Sequence, residues 1–484
     1  MTHTIAEAWS EKKLIVIAVC DADIPKQVWL FGNAGFKLFM GVFFTSAHAD
    51  ADLSTTHNFP FTCKQLNTES PISSVGDFEQ ALIEKECTLQ DEIDIFDPTG
   101  EALVTCCEYF TRIESFCGRI RLRTCQSLNP PKWTELEDKC SVVPILEKSD
   151  PTFRCAIISS DELEYLGKTC LSMDAGEGVV VSPGFCDNSA QIANSGCDSV
   201  FYANSQDSVT EIHTILKQYK SYRAARVMPF ISGIPVCLTT VVSHESVYTV
   251  AADELLAFRS SNSIKFTYFG VASTWVPSEE AWAQLETYAN ILGCLLRSEL
   301  NFAGVFNVQG QWDGKKFTAF EINQRIPGPR NRPIFNYELF ILDTLLRTGV
   351  PLDLCHNTIR SKILEAWHNS RGLYTTIPAR EVVQNVTFDW NWPMSQYYGT
   401  VAVEIIGEEI LMSTPCSGHF LISLGLPSVF SIKPILQNIV PSLYCSKSFV
   451  LCLQFIKDFF SANMKTNFFT GDERLPSTLI RTLT

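Results

Sequence analysis

The stretch Phe317-Thr318-Ala319-Phe320-Glu321-Ile322-Asn323-Gln324-Arg325-Ile326-Pro327-Gly328-Pro329-Arg330-Asn331-Arg332 runs from an alternating strand straight into a loop of Pro, Gly and Arg. Residues two apart on a strand project to the same face, so Glu321 and Asn323 point together while Ile322 packs behind them. Phe302 to Gln309 is the partner strand and brings Asn307. The two strands are joined around Trp312-Asp313-Gly314-Lys315, where Asp-Gly supports the positive backbone angles of a tight hairpin. Hard oxygen ligands on one face suit magnesium, which takes few protein oxygens and leaves its other positions to water and phosphate. Arg325 continues the alternation, and a guanidinium there clamps a phosphate or carboxylate in bidentate fashion. With Arg330 and Arg332 it puts three arginines within eight residues of an otherwise acidic protein. An ordinary amphipathic hairpin with a solvated polar face is the competing reading, and the basic Gly/Pro loop argues against it.

Outward from the hairpin, the pattern is that of strands and helices in alternation. Upstream, Pro277-Ser278 precedes a long helix, Glu279 to Leu300, with Leu285, Ala289, Leu292 and Leu296 on one face. Val236 to Val242 is β-branched and strand-like, and Ser208-Val209-Thr210-Glu211 reads as a capping box opening a helix to about Tyr219. Near the start, Leu14 to Cys20 is a continuous apolar run suited to a buried parallel strand, Asp77 to Glu86 has the helical period, and Glu92 to Asp97 reads as another strand. Downstream, Tyr337 to Thr348 is helical and closed by Gly349, Thr400 to Ile406 is strand-like, and the chain then turns mostly apolar and helical to about Phe460.

The expected fold class is α/β, with an α+β central part. A small open α/β domain occupies residues 1–145, a central region 146–370, and a further domain of unassigned role 371–484. The polar stretch Glu135 to Lys139, after Asn129-Pro130-Pro131, reads as a linker.

Composition removes several function classes. The formal net charge of −15 is the wrong sign for a chain that must neutralise many phosphates, so no nucleic-acid partner is expected. No apolar run approaches the roughly 18 to 20 residues of a membrane-spanning helix. The first residues carry Glu7 and Glu11 and no basic segment leading into a long apolar one, so no cleaved secretory signal is expected and the cytoplasm is the default compartment. The 18 cysteines are scattered, with no Cys-x-x-Cys pair, and read as small buried hydrophobes. The eight histidines show no triad partner at readable spacing. Gly176-Glu177-Gly178 reads as a plain loop rather than a phosphate turn, and Trp390-Asn391-Trp392-Pro393 as packing aromatics.

The segments together resemble the ATP-grasp superfamily. Its members end their second active-site hairpin in Glu-x-Asn-Pro-Arg followed by a Gly-containing loop, and this chain has Glu321-Ile322-Asn323-Gln324-Arg325 and then Gly328. Arg226-Val227-Met228-Pro229-Phe230-Ile231-Ser232-Gly233-Ile234-Pro235 looks like the family's interdomain hinge, which gives backbone hydrogen bonds to adenine. Lys265-Phe266-Thr267-Tyr268-Phe269-Gly270 and the long helix follow in the family's order. The similarity covers about 155–353.

The resemblance implies ATP and Mg2+ as cofactors, with Mn2+ as a substitute, and activation of a carboxylate as an acyl phosphate that an amine attacks. The implied partners are small-molecule acids and amines of amino-acid or peptide type, and a homodimer is compatible with it. Carried over by position, Asn307, Glu321 and Asn323 would hold the metal. Arg325, Arg330 and Arg332 would act on phosphate or intermediate, and Lys168, Val227, Met228, Pro229 and Phe230 would hold the nucleotide. Three positions depart from the pattern. Asn307 stands for a carboxylate, and Met228-Pro229 for hinge acids. Ser182, in Val179 to Pro183, stands for the lysine that precedes the phosphate loop, of which Asn194-Ser195-Gly196-Cys197 is a thin version. Arg223, Arg226 and Lys265 are the cations that could replace that lysine. Two other functions fit the same fold: phosphate transfer to a small-molecule hydroxyl, and a non-catalytic nucleotide-binding scaffold.

Overall fold

Strand β1 (Lys13–Cys20) pairs in parallel with β2 (Leu38–Thr45) and with β4 (Leu103–Cys106). With β3 (Phe61–Gln65) and β5 (Arg123–Thr124) they form a five-stranded parallel sheet in the order β3-β2-β1-β4-β5. A parallel strand is buried on both faces, and this is why Leu14 to Ala18 are apolar without interruption and fully buried. Helices α1 (Val75–Glu84) and α2 (Glu86–Phe96) pack Phe78, Leu82, Leu89 and Ile93 against Ile15 and Ile17. The expected strand at Glu92 to Asp97 is therefore the end of a helix. Leu89 and Ile93, four apart, are buried, while Ile95 is 79% exposed, so the helical period governs and not the alternation of Ile93 and Ile95.

The structure is a computed structural model. It describes residues 13–20, 35–45, 61–67, 75–106, 123–124, 136–185, 199–219, 222–259, 264–272, 277–324 and 356–369, the strands between 372 and 425, and single positions elsewhere.

After α3 (Val143–Ser149) comes an antiparallel four-stranded sheet in the order β6-β9-β7-β8. Its strands are β6 (Ala156–Ser159), β7 (Val179–Phe185), β8 (Phe201–Ala203) and β9 (Tyr222–Pro229). Helices α4 (Leu166–Met173) and α5 (Gln206–Gln218) cover one face through Leu166, Cys170, Ile212 and Leu216, packed on Val181, Ala225 and Val227. The capping box of α5 lies three residues before the expected one. Ser205 caps the helix, accepting from the Ser208 amide at 3.2 Å, and the Ser208 hydroxyl accepts from the Ser205 amide at 3.1 Å. Ser208 itself takes the reciprocal place assigned to Glu211.

Residues 230–233 lead into a seven-stranded antiparallel sheet in the order β14-β13-β10-β11-β12-β15-β19. The strands are β10 (Ile234–Val242), β11 (Val247–Arg259), β12 (Phe266–Ala272), β13 (Gly304–Trp312), β14 (Phe317–Asn323), β15 (Gly372–Pro378) and β19 (His419–Gly425). Helix α6 (Glu279–Leu300) lays Leu285, Ala289, Leu292 and Leu296 on Leu238, Phe306, Val308 and Ile322. Ser278 caps its start, and Asn301 in the left-handed region (φ 53°) ends it, one of the few non-glycine types that adopt this conformation readily. Helix α7 (His356–Asn369) and Leu339 and Leu342 cover the other face, packing on Val241 and Val305, and Trp367 Nε1 donates to Asp253 at 3.0 Å.

A separate three-stranded sheet, β16-β18-β17, is built from β16 (Val386–Asp389), β17 (Ala402–Ile406) and β18 (Glu409–Ser413). The helical expectation beyond 406 gives way here, because β18 pairs with β17 and His419–Gly425 pairs with β15. Short apolar runs read alike for strand and buried helix until a pairing partner is known. Trp390 to Pro393 and the segment after 425 lie outside the described residues. No described helix is long and apolar enough to cross a membrane.

Two carboxylates link stability to acid. Burial pushes both Asp97 and Asp150 upward, but hydrogen bonds outweigh it. Asp97 accepts from the Ala102 amide and Thr99, and Asp150 from Lys316 at 2.6 Å and the Thr152 amide, so both titrate below the ordinary 3.8. A depressed carboxylate contributes stability that is fully present above its unfolded pKa and is lost as pH falls through the folded one. Chemical denaturation at about pH 6 and about pH 3 should therefore show a smaller loss of stability for Asp150→Asn than for the wild type.

Candidate active site

Strand β9 divides its side chains between two environments. Ala225 and Val227 enter the helix-covered core, whereas Met228 joins Val236, Leu238 and Phe317 of the seven-stranded sheet. Arg226 lies on the Met228 side by alternation. Ser182 of β7 is its direct cross-strand partner and shares that face. The turn at 136–142 packs on the same surface, since a Cβ at Gly184 would stand 2.8 Å from Cys140 Sγ and 3.1 Å from Asp138 Oδ2.

This turn, expected as a linker, carries buried charge. Asp138 Oδ1 accepts from the Cys140 amide (3.1 Å), the Ser141 amide (2.7 Å) and Arg223 Nη2 (2.9 Å). Lys139 is buried, and its ammonium lies 3.8 Å from Glu321 Oε2. Glu137 Oε1 accepts from the Gln324 amide at 3.3 Å. The turn, β9 and the end of the hairpin thus meet around Glu321. Burial pushes the nearby Cys140 thiol up to about 12, with Asp138 adding to the effect, which disfavours the reactive thiolate.

The hairpin forms with the expected turn. Asp313 Oδ1 accepts from the Lys315 and Lys316 amides, each at 2.7 Å, and Gly314 takes φ 95°. Asn307 stands opposite Asn323, and Gln309 opposite Glu321. Asn307 Nδ2 donates to the Asn323 carbonyl (3.3 Å), and Asn307 Oδ1 accepts from Asn323 Nδ2 (3.2 Å) and Cys237 Sγ (3.5 Å). The Asn307 carbonyl is thereby engaged within the sheet. The Glu321 carboxylate and the Asn323 amide stand two positions apart on the same face, and Asn307 lies opposite Asn323 there. Among the described residues no group of three or more His, Cys, Asp or Glu could hold a metal. One carboxylate and an amide oxygen fit magnesium that arrives with phosphates, which supply most of its shell.

Beyond Asn323 the chain is locked. Gln324 is fully buried, and its carbonyl accepts from Arg347 Nη2 at 2.7 Å. Arg347 Nε pairs with Asp343 at 2.7 Å, and Asp343 accepts from the Val305 amide at 2.6 Å. Burial pushes the Asp343 carboxyl up, and Arg347 opposes this. The buckle holds the chain at Gln324, directly after the hairpin. Arg325, Arg330 and Arg332 themselves lie outside the described residues.

At the hinge, Val227 and Met228 are buried and Pro229 and Phe230 half-buried. The Phe230 amide donates to the Gly178 carbonyl at 2.9 Å, its ring meets Tyr202 edge-on at 5.2 Å, and Ser232 bonds Glu177. The Gly176-Glu177-Gly178 loop is thus a brace for the hinge. Its positive φ angles (104° and 89°) turn both glycine amides onto Asp174 Oδ1. Lys168 stands exposed on α4, whose packed residues lie on the sheet face opposite to Arg226, so the structure does not bring it to the other candidates. Of the three cations considered for the missing lysine, Arg223 is tied to Asp138 and Ser141, Lys265 is exposed, and Arg226 is buried beside Ser182. Lys139 and the Asp343–Arg347 buckle had no sequence signal, because they act through contacts distant along the chain.

The leading parallel α/β sheet, the four-stranded sheet and the seven-stranded sheet with its terminal hairpin make up the ATP-grasp fold, and this chain has it. The biotin carboxylase domain of the Hydrogenobacter thermophilus 2-oxoglutarate carboxylase, solved as a dimer with MgADP, ADP and bicarbonate, is similar at a TM-score of 0.56 and 11% identity over 84% of each chain. Rhizobium etli pyruvate carboxylase is similar at a TM-score of 0.54 and 10% identity, over 86% of this chain and 36% of that one. No family model and no curated protein matches the sequence.

Proposed function

We propose that this protein is an ATP-dependent ligase that joins a small-molecule carboxylate, of amino-acid or peptide type, to an amine and releases ADP and phosphate. The observation that carries the reading is the meeting of Glu321 and Asn323, at the end of the hairpin, with buried Lys139 from the 136–142 turn and buried Arg226 from the strand that enters the hinge. In this reading adenine rests on the hinge, Val227 to Phe230, whose backbone is braced by Gly178. Glu321 and Asn323 would hold magnesium, which would supply positive charge to offset that of the phosphates. A carboxylate oxygen of the acid attacks the γ-phosphorus and ADP leaves. The amine nitrogen then attacks the acyl carbon and loses its proton, and phosphate departs with the former carboxylate oxygen. Arg325, Arg330 and Arg332 are assigned to charge that develops on phosphate and on the tetrahedral intermediate, so catalysis is chiefly positioning and electrostatics.

The test is ADP release over a panel of acid and amine pairs. ADP formation that requires both partners is the expected result, and an acid-independent phosphate ester as product would overturn it in favour of phosphate transfer. A non-catalytic nucleotide-binding role is the second reading, favoured by neutral Ser182 and by Asn307, whose amide is engaged within the hairpin. MgATP binding with no turnover for any pair would select it. A homodimer, proposed with the ligase, is checked by sedimentation equilibrium, where a monomer mass would exclude it.

A further inference from the structure

Arg226 is 2% exposed, yet its Nε and Nη1 are buried with no hydrogen-bond partner. A guanidinium stays charged and carries five donors, so burying one with donors unmet is among the costlier arrangements a protein tolerates. Burial pulls its pKa below the ordinary value, while Cys140, Glu321, Cys155 and Asp138 act in the opposite sense. None of these groups hydrogen-bonds Nε or Nη1. Glu321 faces Lys139, and Asp138 is occupied by Arg223 and two backbone amides. Two unmet donors on a buried cation are a place where an anionic oxygen of a ligand would be held.

The register shows where that anion belongs. Arg226 and Ser182 are directly opposed on β9 and β7, so their side chains leave the sheet side by side on the face toward Glu321. A long side chain on either strand reaches the same region. Gln324, whose amide bonds Glu137 next to Lys139, adds a second fully buried side chain with unpartnered polar atoms, Nε2 and Oε1.

We propose that Arg226 supplies from the neighbouring strand the buried cation that position 182 lacks, and that an oxygen of the nucleotide's phosphate chain completes its hydrogen bonding. The inference rests on the nucleotide-site reading above and adds to it which residue recognises phosphate.

Calorimetric titration of adenosine and of ADP with magnesium separates the two claims, because adenosine has the base without the phosphates. The wild type should bind ADP more tightly than adenosine. Arg226→Met should weaken ADP about 100-fold and leave adenosine within about twofold. Its Tm should hold or rise, because an uncompensated buried charge is removed. Arg226→Lys, which keeps charge but loses the fork of donors, should cost about tenfold for ADP. The double variant Ser182→Lys with Arg226→Met should recover most of the ADP affinity. An ADP advantage that survives Arg226→Met, or a clear fall in Tm for that variant, would overturn the assignment while leaving the nucleotide site intact. A wild type that binds neither ligand would instead overturn the nucleotide reading itself.

Discussion

Glu321→Gln is expected to lower acid- and amine-dependent ADP release by a factor on the order of 100 to 1,000, the range found when a charge-stabilising group is removed from a transition state. Glu321 is the one carboxylate of the hairpin's polar face, since Asn323 and Asn307 are neutral and Asn307 is engaged with Asn323 and Cys237. Its replacement leaves a cation with amide oxygens, which bind magnesium with less charge. Part of any loss will come from Lys139, which sits 3.8 Å from Glu321 and would lose that ion-pair contact. Lys139→Met separates the contributions. A metal-ligand role for Glu321 predicts that Glu321→Gln raises the magnesium concentration needed for half-maximal rate and that Lys139→Met does not. The Glu321 side chain is partly exposed, 22%, so the Tm of Glu321→Gln should stay within a few degrees of wild type.

The largest effect on stability is expected from Asp343→Ala. Asp343 is buried, pairs with Arg347 at 2.7 Å and accepts the Val305 amide at 2.6 Å. Its removal takes an ion-pair partner from a buried guanidinium and the acceptor from a buried amide. Breaking one side of such a pair costs about 3–5 kcal/mol. Arg347 also donates to the Gln324 carbonyl at 2.7 Å and lies 5.6 Å from the Phe302 ring, so the loss extends to the point where the hairpin becomes the arginine loop. Urea denaturation should show the full drop in midpoint. The double variant Asp343→Ala with Arg347→Met should recover part of it by removing the buried charge. No recovery would mean that the Val305 amide, and not the ion pair, carries the effect.

The hairpin and helix α6 were legible because their signals are local: Asp313-Gly314 sets the turn, strict alternation sets the faces, and Leu285, Ala289, Leu292 and Leu296 recur at the helical period. Leu14 to Cys20 announced a parallel strand for the same reason. Glu92 to Asp97 misled because two isoleucines two apart imitate a strand while Leu89, outside the window, sets the true period. The apolar runs at 409–413 and 419–425 misled because only their partners, β17 and β15, decide between strand and helix. The site was legible on one side. Glu321 and Asn323 belong to a recognisable hairpin, but the charges opposite them come from a turn read as a linker. Glu137 and Gln324 are 187 residues apart, and no periodicity links such positions. The absence of a lysine at Ser182 was visible in the sequence, whereas the register that sets Arg226 beside it needed the sheet.

The most direct test of the ligase mechanism follows the oxygen. An acid that elicits ADP release is labelled with 18O in its carboxylate, and the released inorganic phosphate is analysed by mass spectrometry. Passage through an acyl phosphate predicts one labelled oxygen in each phosphate and one amide for each ADP. Unlabelled phosphate alongside ADP would contradict the account, since ATP would then be cleaved without activating the acid.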